Sequence, residues 1–273
     1  MSQLAPVNRN APIGVFDSGV GGLSILQALQ LALPQENFVY LADSAHAPYG
    51  ERDAAFVQSR AQAVWQTLRD EHHVKALVMA CNTATALAIE KLRSDHPDVA
   101  FFGVEPAVKP AAAASRTQRV GVMATPATLG SEKFAQLLKG LDVQTHFVLQ
   151  ACEGLADAIE QQCQQANDTA VRALCEKYVR AMGAFGTHAA EIDTLVLGCT
   201  HYPFALPLLR ELVGGDVAIV ETGQPVARQV KKVLSERGLL SDNALGHVKL
   251  LATGDAQALL RAAQVWLPSL VVA

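Results

Sequence analysis

The sequence predicts an α/β fold of two similar lobes, each a mainly parallel sheet flanked by helices, with a cleft between them. Three observations predict it. Short apolar strands alternate with longer stretches of helical period. The alternation begins at Ile13 and restarts near residue 119. Three segments of the first half also echo three of the second half in the same order.

Each element has its own signal. Ile13–Phe16 is an apolar strand, followed by Gly19, Gly21 and Gly22. Leu23, Leu26, Leu29 and Leu33 then recur at helical spacing. Phe38–Ala42 reads as a strand and Ala54–Arg69 as a helix. Ala76–Ala80 is a buried strand, Thr85–Arg93 a helix and Ala100–Val104 a strand. After the restart, Arg119–Met123, Gln144–Leu149, Thr194–Leu197 and Val217–Val220 read as strands. Ser131–Leu138, Asp168–Ala184, Phe204–Leu212 and Pro225–Arg237 read as helices.

The echoes pair Ile13–Ser18 with Val120–Thr125, Leu77–Leu87 with Leu195–Ala205, and Val104–Val108 with Val220–Val226. They predict a first lobe over 12–106 plus 213–273 and a second over 107–212. Ligands in such folds bind at interdomain clefts and at the carboxyl ends of strands.

Composition narrows the classes. The chain has 273 residues, is 50% hydrophobic and carries a net charge of −4, with no Lys/Arg cluster. A nucleic-acid surface is not expected. Met1–Ala11 lacks an apolar leader core, and the tail Val265–Ala273 is short and broken by Pro268, so no membrane contact is expected. The cysteines, Cys81, Cys152, Cys163, Cys175 and Cys199, are odd in number and contain no CxxC pair. Free thiols in a reducing cytoplasm fit better than disulfides or a zinc site.

Two of those cysteines carry a chemical expectation. Cys81 and Cys199 occupy matching places in the repeat, each ending a strand and starting a turn into a helix. Free N–H groups at a helix start favour a thiolate. Two thiols facing one cleft suit stereoinversion, one removing a proton and the other returning one to the opposite face. Cys152, Cys163 and Cys175 lack that setting and are read as small buried hydrophobes.

Other residues gather around this pair. Asp17 and Ser18 stand in a glycine-rich turn whose N–H groups suit a carboxylate, although either side chain also suits a helix cap. The turn does not match a dinucleotide or phosphate loop. Tyr49 and Gly50 lie in the loop His46–Arg52, which reads equally as a plain turn. Asn82 and Thr83 follow the first cysteine, and Thr200 and His201 the second. His201 suits promotion of a Cys199 thiolate. Lys109 is weak ground for a Schiff base.

The series "IGVFDSGVGGLSIL", "APYG", "ACNTATALA", "VEPA" and "LGCTHYPF" resembles the glutamate racemases of the aspartate/glutamate racemase superfamily. The resemblance runs from Ile13 to about Arg237. It implies two α/β lobes, no cofactor (neither PLP nor metal), and interconversion of L- and D-glutamate that supplies peptidoglycan synthesis. It also implies a cytoplasmic homodimer. By the resemblance, Cys81 and Cys199 are the acid/base thiols, and the expected catalytic set adds Asp17, which assists Cys81, and His201 and Glu160, which assist Cys199. Asp17, Ser18, Tyr49, Gly50, Asn82, Thr83, Thr200 and His201 line the substrate site. Glu160, in "CEGLADAIE", matches an acidic residue near the second cysteine, although this stretch is less rich in proline and apolar residues than the family pattern. A racemase for aspartate and a non-catalytic acidic amino-acid binding protein remain as alternatives.

Overall fold

The structure, a computed structural model, describes residues 8–141, 144–165 and 167–267, excluding the side chains of 163–165. Met1–Val7 and Pro268–Ala273 lie outside the described residues, as does the side chain of Cys163. No helix among the described residues is long and apolar enough to cross a membrane.

Four strands open the chain: β1 (Ile13–Asp17), β2 (Phe38–Ala42), β3 (Ala76–Met79) and β4 (Ala100–Gly103). Four follow: β5 (Arg119–Ala124), β6 (His146–Ala151), β7 (Thr194–Gly198) and β8 (Ala218–Val220). A late strand, β9 (Val248–Ala252), joins the first sheet beside β2. The sheets run β4-β3-β1-β2-β9 and β6-β5-β7-β8, with every strand pair parallel.

Read in reverse, the second order repeats the first four strands of the first. Register repeats too. Ile13 pairs with Phe38 and Ala76, and its echo Val120 pairs with Phe147 and Thr194. The offset that carries Ala76 to Thr194 also carries Cys81 to Cys199. The third echo is misaligned. Leu77 faces Phe101 and its counterpart Leu195 faces Ile219, so Val104 corresponds to Thr222, two residues beyond Val220.

Parallel sheets need apolar cover on both faces. The helices α1 (Leu23–Ala32), α2 (Ala54–His72) and α3 (Asn82–Asp95) serve the first sheet. α4 (Val108–Ala114), α5 (Pro126–Leu129), α6 (Glu132–Lys139), α7 (Leu155–Gln165), α8 (Thr169–Met182) and α9 (Leu206–Val213) lie around the second. α10 (Gly223–Glu236) and α11 (Ala256–Trp266) return to the first. Strand alternation then decides which face each side chain joins. Ala76 and Val78 pack with Leu26 of α1 and Val230 of α10. Leu77, Met79 and Cys81 pack on the other face with Val64 of α2 and Ile89 of α3. Leu195, Leu197 and Cys199 join Ile159, Cys175 and Leu209 of the second lobe. Each fully buried Leu or Ile contributes about 1.5–3 kcal/mol by leaving water.

One boundary moves. Ala218–Val220 was expected in the first lobe but pairs with β7, because only there does its backbone find a ladder partner. The chain crosses back after Val220, not at residue 213, and α10 then packs against α1.

A buried ion pair closes the amino ends of the first sheet, opposite the cleft. Lys75 immediately precedes β3, with its side chain fully buried. It donates to Glu36 and to the carbonyls of Arg9 and Leu239, while Glu36 accepts from the Ser241 N–H at 2.8 Å. Four distant segments are tied at one point. Removing one partner strands a buried charge. Lys75→Met should therefore cost about 3–5 kcal/mol in urea unfolding, and Lys75→Met with Glu36→Leu should recover most of that loss. A single-variant loss under about 1 kcal/mol would contradict this account.

Candidate active site

The carboxyl ends of the two sheets face a common cavity of about 570 Å³ including its mouth. Ser18, Tyr49, Gly50, Cys81, Asn82 and Thr83 line it from the first lobe, and Glu160, Cys199, Thr200 and His201 from the second. Asp17 does not line it. Its side chain is fully buried behind Ser18.

Cys81 caps α3, which starts at Asn82, three residues before the predicted start at Thr85. Its sulfur accepts from the Ala84 N–H at 3.4 Å and lies 3.7 Å from Ser18 Oγ. Those groups favour a thiolate, as the sequence suggested. Burial outweighs them. Desolvation first, and then the Asp17 charge, push the Cys81 thiol well above its ordinary range.

Cys199 is held differently. The predicted helix at Phe204 starts at Leu206, after a 3-10 turn over Tyr202–Ala205. Pro207 lacks an N–H, and its ring would clash with the carbonyl of Pro203, so an α-helix cannot run through both. The second sulfur therefore has no α-helix start beside it. The His201 ring takes that place, with Nδ1 3.7 Å from Sγ.

The other ring nitrogen of His201, Nε2, lies 3.3 Å from Glu160 Oε1. It is off the line of a hydrogen bond, so this is an ion-pair contact. Oε1 instead accepts the Val20 N–H at 2.7 Å, across the lobes. Burial alone would lower the His201 pKa, but Cys199 and Glu160 hold it well above the usual value. Burial pushes Glu160 up, yet His201 and the Val20 N–H more than offset it, leaving the carboxyl below its ordinary range. His201 is thus a buried imidazolium with Glu160 as its counter-ion.

This contact explains the glycine turn better than a phosphate site does. A Cβ on Gly19 would collide with the Glu160 carboxylate, and one on Gly21 with the His201 ring. The turn is bare because the second lobe presses on it. Asp17 braces it from below, accepting from the Ser18 N–H at 2.7 Å, from the Gly22 N–H, and from Thr200 Oγ1 at 3.2 Å. Burial lifts the Asp17 carboxyl to about 6, against the lowering effects of His201, Ser18 and Gly22.

The His46–Arg52 loop is more than a turn. Tyr49 donates its hydroxyl to the fully buried Asp43 at 2.5 Å, and Arg60 donates twice to the same carboxylate at 2.9 Å. The hydroxyl is thereby engaged by Asp43, and the ring packs edge-on against Phe16. Gly50 reaches the second lobe, its carbonyl accepting from the Ala127 N–H at 3.3 Å.

Sequence reasoning missed Thr125, Pro126, Cys152, Glu153 and Asp157, which also line the cavity. Thr125 Oγ1 meets Thr83 Oγ1 at 3.0 Å across the lobes. The echo of Ile13–Ser18 in Val120–Thr125 makes Thr125 the counterpart of Ser18, and that correspondence is the sequence signal that points to it. Lys109 is exposed on α4, away from the cavity. Cys175 is buried in the second core, its thiol pushed up to about 12 by burial. Among the described residues, no three His, Cys, Asp or Glu side chains group as a metal site.

The Asp/Glu/Hydantoin racemase family model matches residues 13–230. A glutamate racemase of Pseudomonas entomophila (strain L48) is 46% identical over 251 residues, 92% of each chain. One from Pseudomonas paraeruginosa (strain DSM 24068 / PA7) is 48% identical over 233 residues, 85% of each. A glutamate racemase isoform of Bacillus anthracis superposes with a TM-score of 0.85 at 29% identity, covering 97% of both chains. The Francisella tularensis subsp. tularensis glutamate racemase in complex with D-glutamate superposes with a TM-score of 0.81 at 27% identity, covering 96% of this chain and 95% of that one. The cavity flanked by two matched cysteines thus sits in a chain that belongs to the Asp/Glu/Hydantoin racemase family.

Proposed function

We propose that the protein interconverts L- and D-glutamate by proton transfer at Cα between Cys81 and Cys199, without a cofactor. The observation that carries this reading is the pair of thiols at equivalent strand ends, both lining one cavity. The similarity to glutamate racemases supplies the substrate. Turnover of each enantiomer without added cofactor, followed by circular dichroism, tests it.

The substrate Cα lies between the sulfurs in this scheme. Ser18, Asn82, Thr83 and Thr200 hold its carboxylates with neutral donors. These donors also stabilise the charge that develops as Cα–H ionises, and a cavity closed to water strengthens them. The His201 imidazolium places a cation beside the Cys199 sulfur and suits it to take the proton. Cys81, held as a thiol by burial, returns a proton to the other face. The reverse reaction exchanges these roles. Asp17 and Glu160 act through others: Asp17 fixes Ser18 and Thr200, and Glu160 keeps His201 charged. As the family resemblance suggests, the protein works as a cytoplasmic homodimer that supplies D-glutamate for peptidoglycan.

Cys81→Ala and Cys199→Ala should each lower kcat/KM by about 10³-fold or more, with the fold retained by circular dichroism. In D₂O, the product enantiomer should carry deuterium at Cα after a single turnover. Near-normal activity in either variant would sink the two-base scheme.

The carboxylate of Asp17 is lost as pH falls through about 6, so kcat/KM should drop on an acid limb centred there. The stability sign is opposite. The folded value, about 6, lies above the ordinary 3.8, so the folded protein binds the extra proton between them. This group's contribution to stability therefore rises as pH falls through that window. An acid limb that persists in Asp17→Asn would assign it elsewhere.

Gly19→Ala should displace Glu160 from Val20 and His201, lowering kcat/KM by about 100-fold and, because the buried His201 charge loses its counter-ion, lowering Tm as well. Steady-state kinetics beside a thermal melt separate the two effects. Wild-type kinetics in this variant would show that the contact is dispensable.

A further inference from the structure

We propose that three carboxylates at the cavity mouth, Glu51, Glu153 and Asp157, form a charge filter that favours an amino acid with two carboxylates over a dicarboxylic acid lacking the ammonium group. The proposal rests on glutamate being the substrate.

The mouth is bordered by both lobes. Glu51 closes the Ala47–Glu51 wall of the first lobe, and Glu153 and Asp157 lie in the Cys152–Asp157 wall of the second. Glu51 and Glu153 are exposed, and Asp157 is half-buried. The two walls sense each other. Burial, then Glu160, then Glu51 raise the Asp157 carboxyl above its ordinary range, opposed by His201.

Among the described residues, no lysine or arginine lines this cavity. The nearby Arg52 lies over the Phe56 ring, 5.0 Å from its centroid, and outside the lining. The His201 side chain in the wall, a cation, is already matched by Glu160. A site built for two carboxylates thus receives them on neutral hydroxyls and amides. The uncompensated charge at its entrance has the same sign as the ligand. A helix start explains only part of this. Asp157 lies in the first turn of α7 and gains there from free N–H groups. Glu51 and Glu153 lie outside any helix.

Such a rim discriminates by net charge. An acidic amino acid enters with net charge −1, because its ammonium cancels one carboxylate. A dicarboxylic acid of equal length enters with −2 and meets twice the repulsion. Both fit the same hydroxyl donors, so the neutral donors alone separate them poorly. Rejection of the near-analogue comes from the repulsive element.

The test uses the full chain, glutamate as substrate and glutarate as competitive inhibitor. Wild type is compared with the triple variant Glu51→Gln, Glu153→Gln, Asp157→Asn, at about 20 mM and about 0.5 M NaCl. At low salt the triple variant should lower Ki for glutarate about tenfold and KM for glutamate about threefold. High salt should shrink both differences towards one. Equal shifts for the two ligands, or no shift in either, overturn the filter. Should a thermal melt show the triple variant unfolded, Glu51→Gln alone, on an exposed loop, should show the same ordering with smaller factors; no difference there also overturns it. If wild type fails to racemise glutamate, the substrate reading falls instead. Calorimetric binding of glutarate to wild type and variant then still tests the rim, and equal affinities overturn it.

Discussion

The site depends on one contact between the lobes: the Val20 N–H donating to Glu160 Oε1 at 2.7 Å, with the His201 ring beside it. The two sheets are separate hydrogen-bonded units, joined by chain crossings, side-chain packing and hydrogen bonds between the lobes. What sets one sulfur opposite the other is the fit of the second lobe against the Ser18–Gly22 turn. That fit needs a turn without side chains at Gly19 and Gly21, a fixed carboxylate beneath it at Asp17, and a charged ring above it at His201. Each group is costly in isolation. A buried imidazolium, a buried carboxylate and a bare turn all oppose folding or order. Together they pair their charges, so the cost is met only when the lobes are docked.

Much of this was legible in the sequence because it is periodic or repeated. Buried parallel strands such as Phe38–Ala42 and Thr194–Gly198 are continuous apolar runs, and these stand out. The repeat located Cys81 and Cys199 before any geometry, because each follows a strand of matched register. Elements without a strong period stayed hidden. β9 is an edge strand with one buried residue in five, so Val248–Ala252 carries little alternation. α7 starts after Gly154 in the left-handed region at φ +71°, which reads as a break. That break hid the wall bearing Glu153 and Asp157. Pairings of distant residues left no local mark. Nothing near Asp43 shows that Arg60 and Tyr49 converge on it, nor near Lys75 that Glu36 will neutralise it.

Burial also reversed one expectation drawn from local chemistry. A cysteine at a helix start is expected to ionise easily. Cys81 has the helix start and a hydroxyl neighbour, but it also has a dry pocket and an adjacent carboxylate. Desolvation of a charged sulfur outweighs two weak donors, since a few N–H···S contacts replace a full hydration shell. Sequence reveals the donors and not the dryness, because dryness is a property of what packs from elsewhere.

The two cysteines are equivalent in register and unlike in surroundings, and the difference traces to one pair of positions. The repeat places His201 where the first lobe has Thr83, and Thr128 where the first lobe has Gly21. The lobes therefore touch twice in equivalent fashion. Once the contact is His201 on Gly21, a large ring against a missing side chain. Once it is Thr83 near Thr128, with hydroxyls 3.5 Å apart. Combined volume is conserved across the two contacts in kind, a large residue with a small one against two of middling size. A histidine after Cys81 would need a glycine at Thr128 to receive it, so neither position changes alone without a clash or a void. The exchange of bulk between these two contacts gives one thiol an imidazolium and leaves the other with hydroxyls and a helix start. A duplicated scaffold can thereby present unlike groups to the two faces of one carbon.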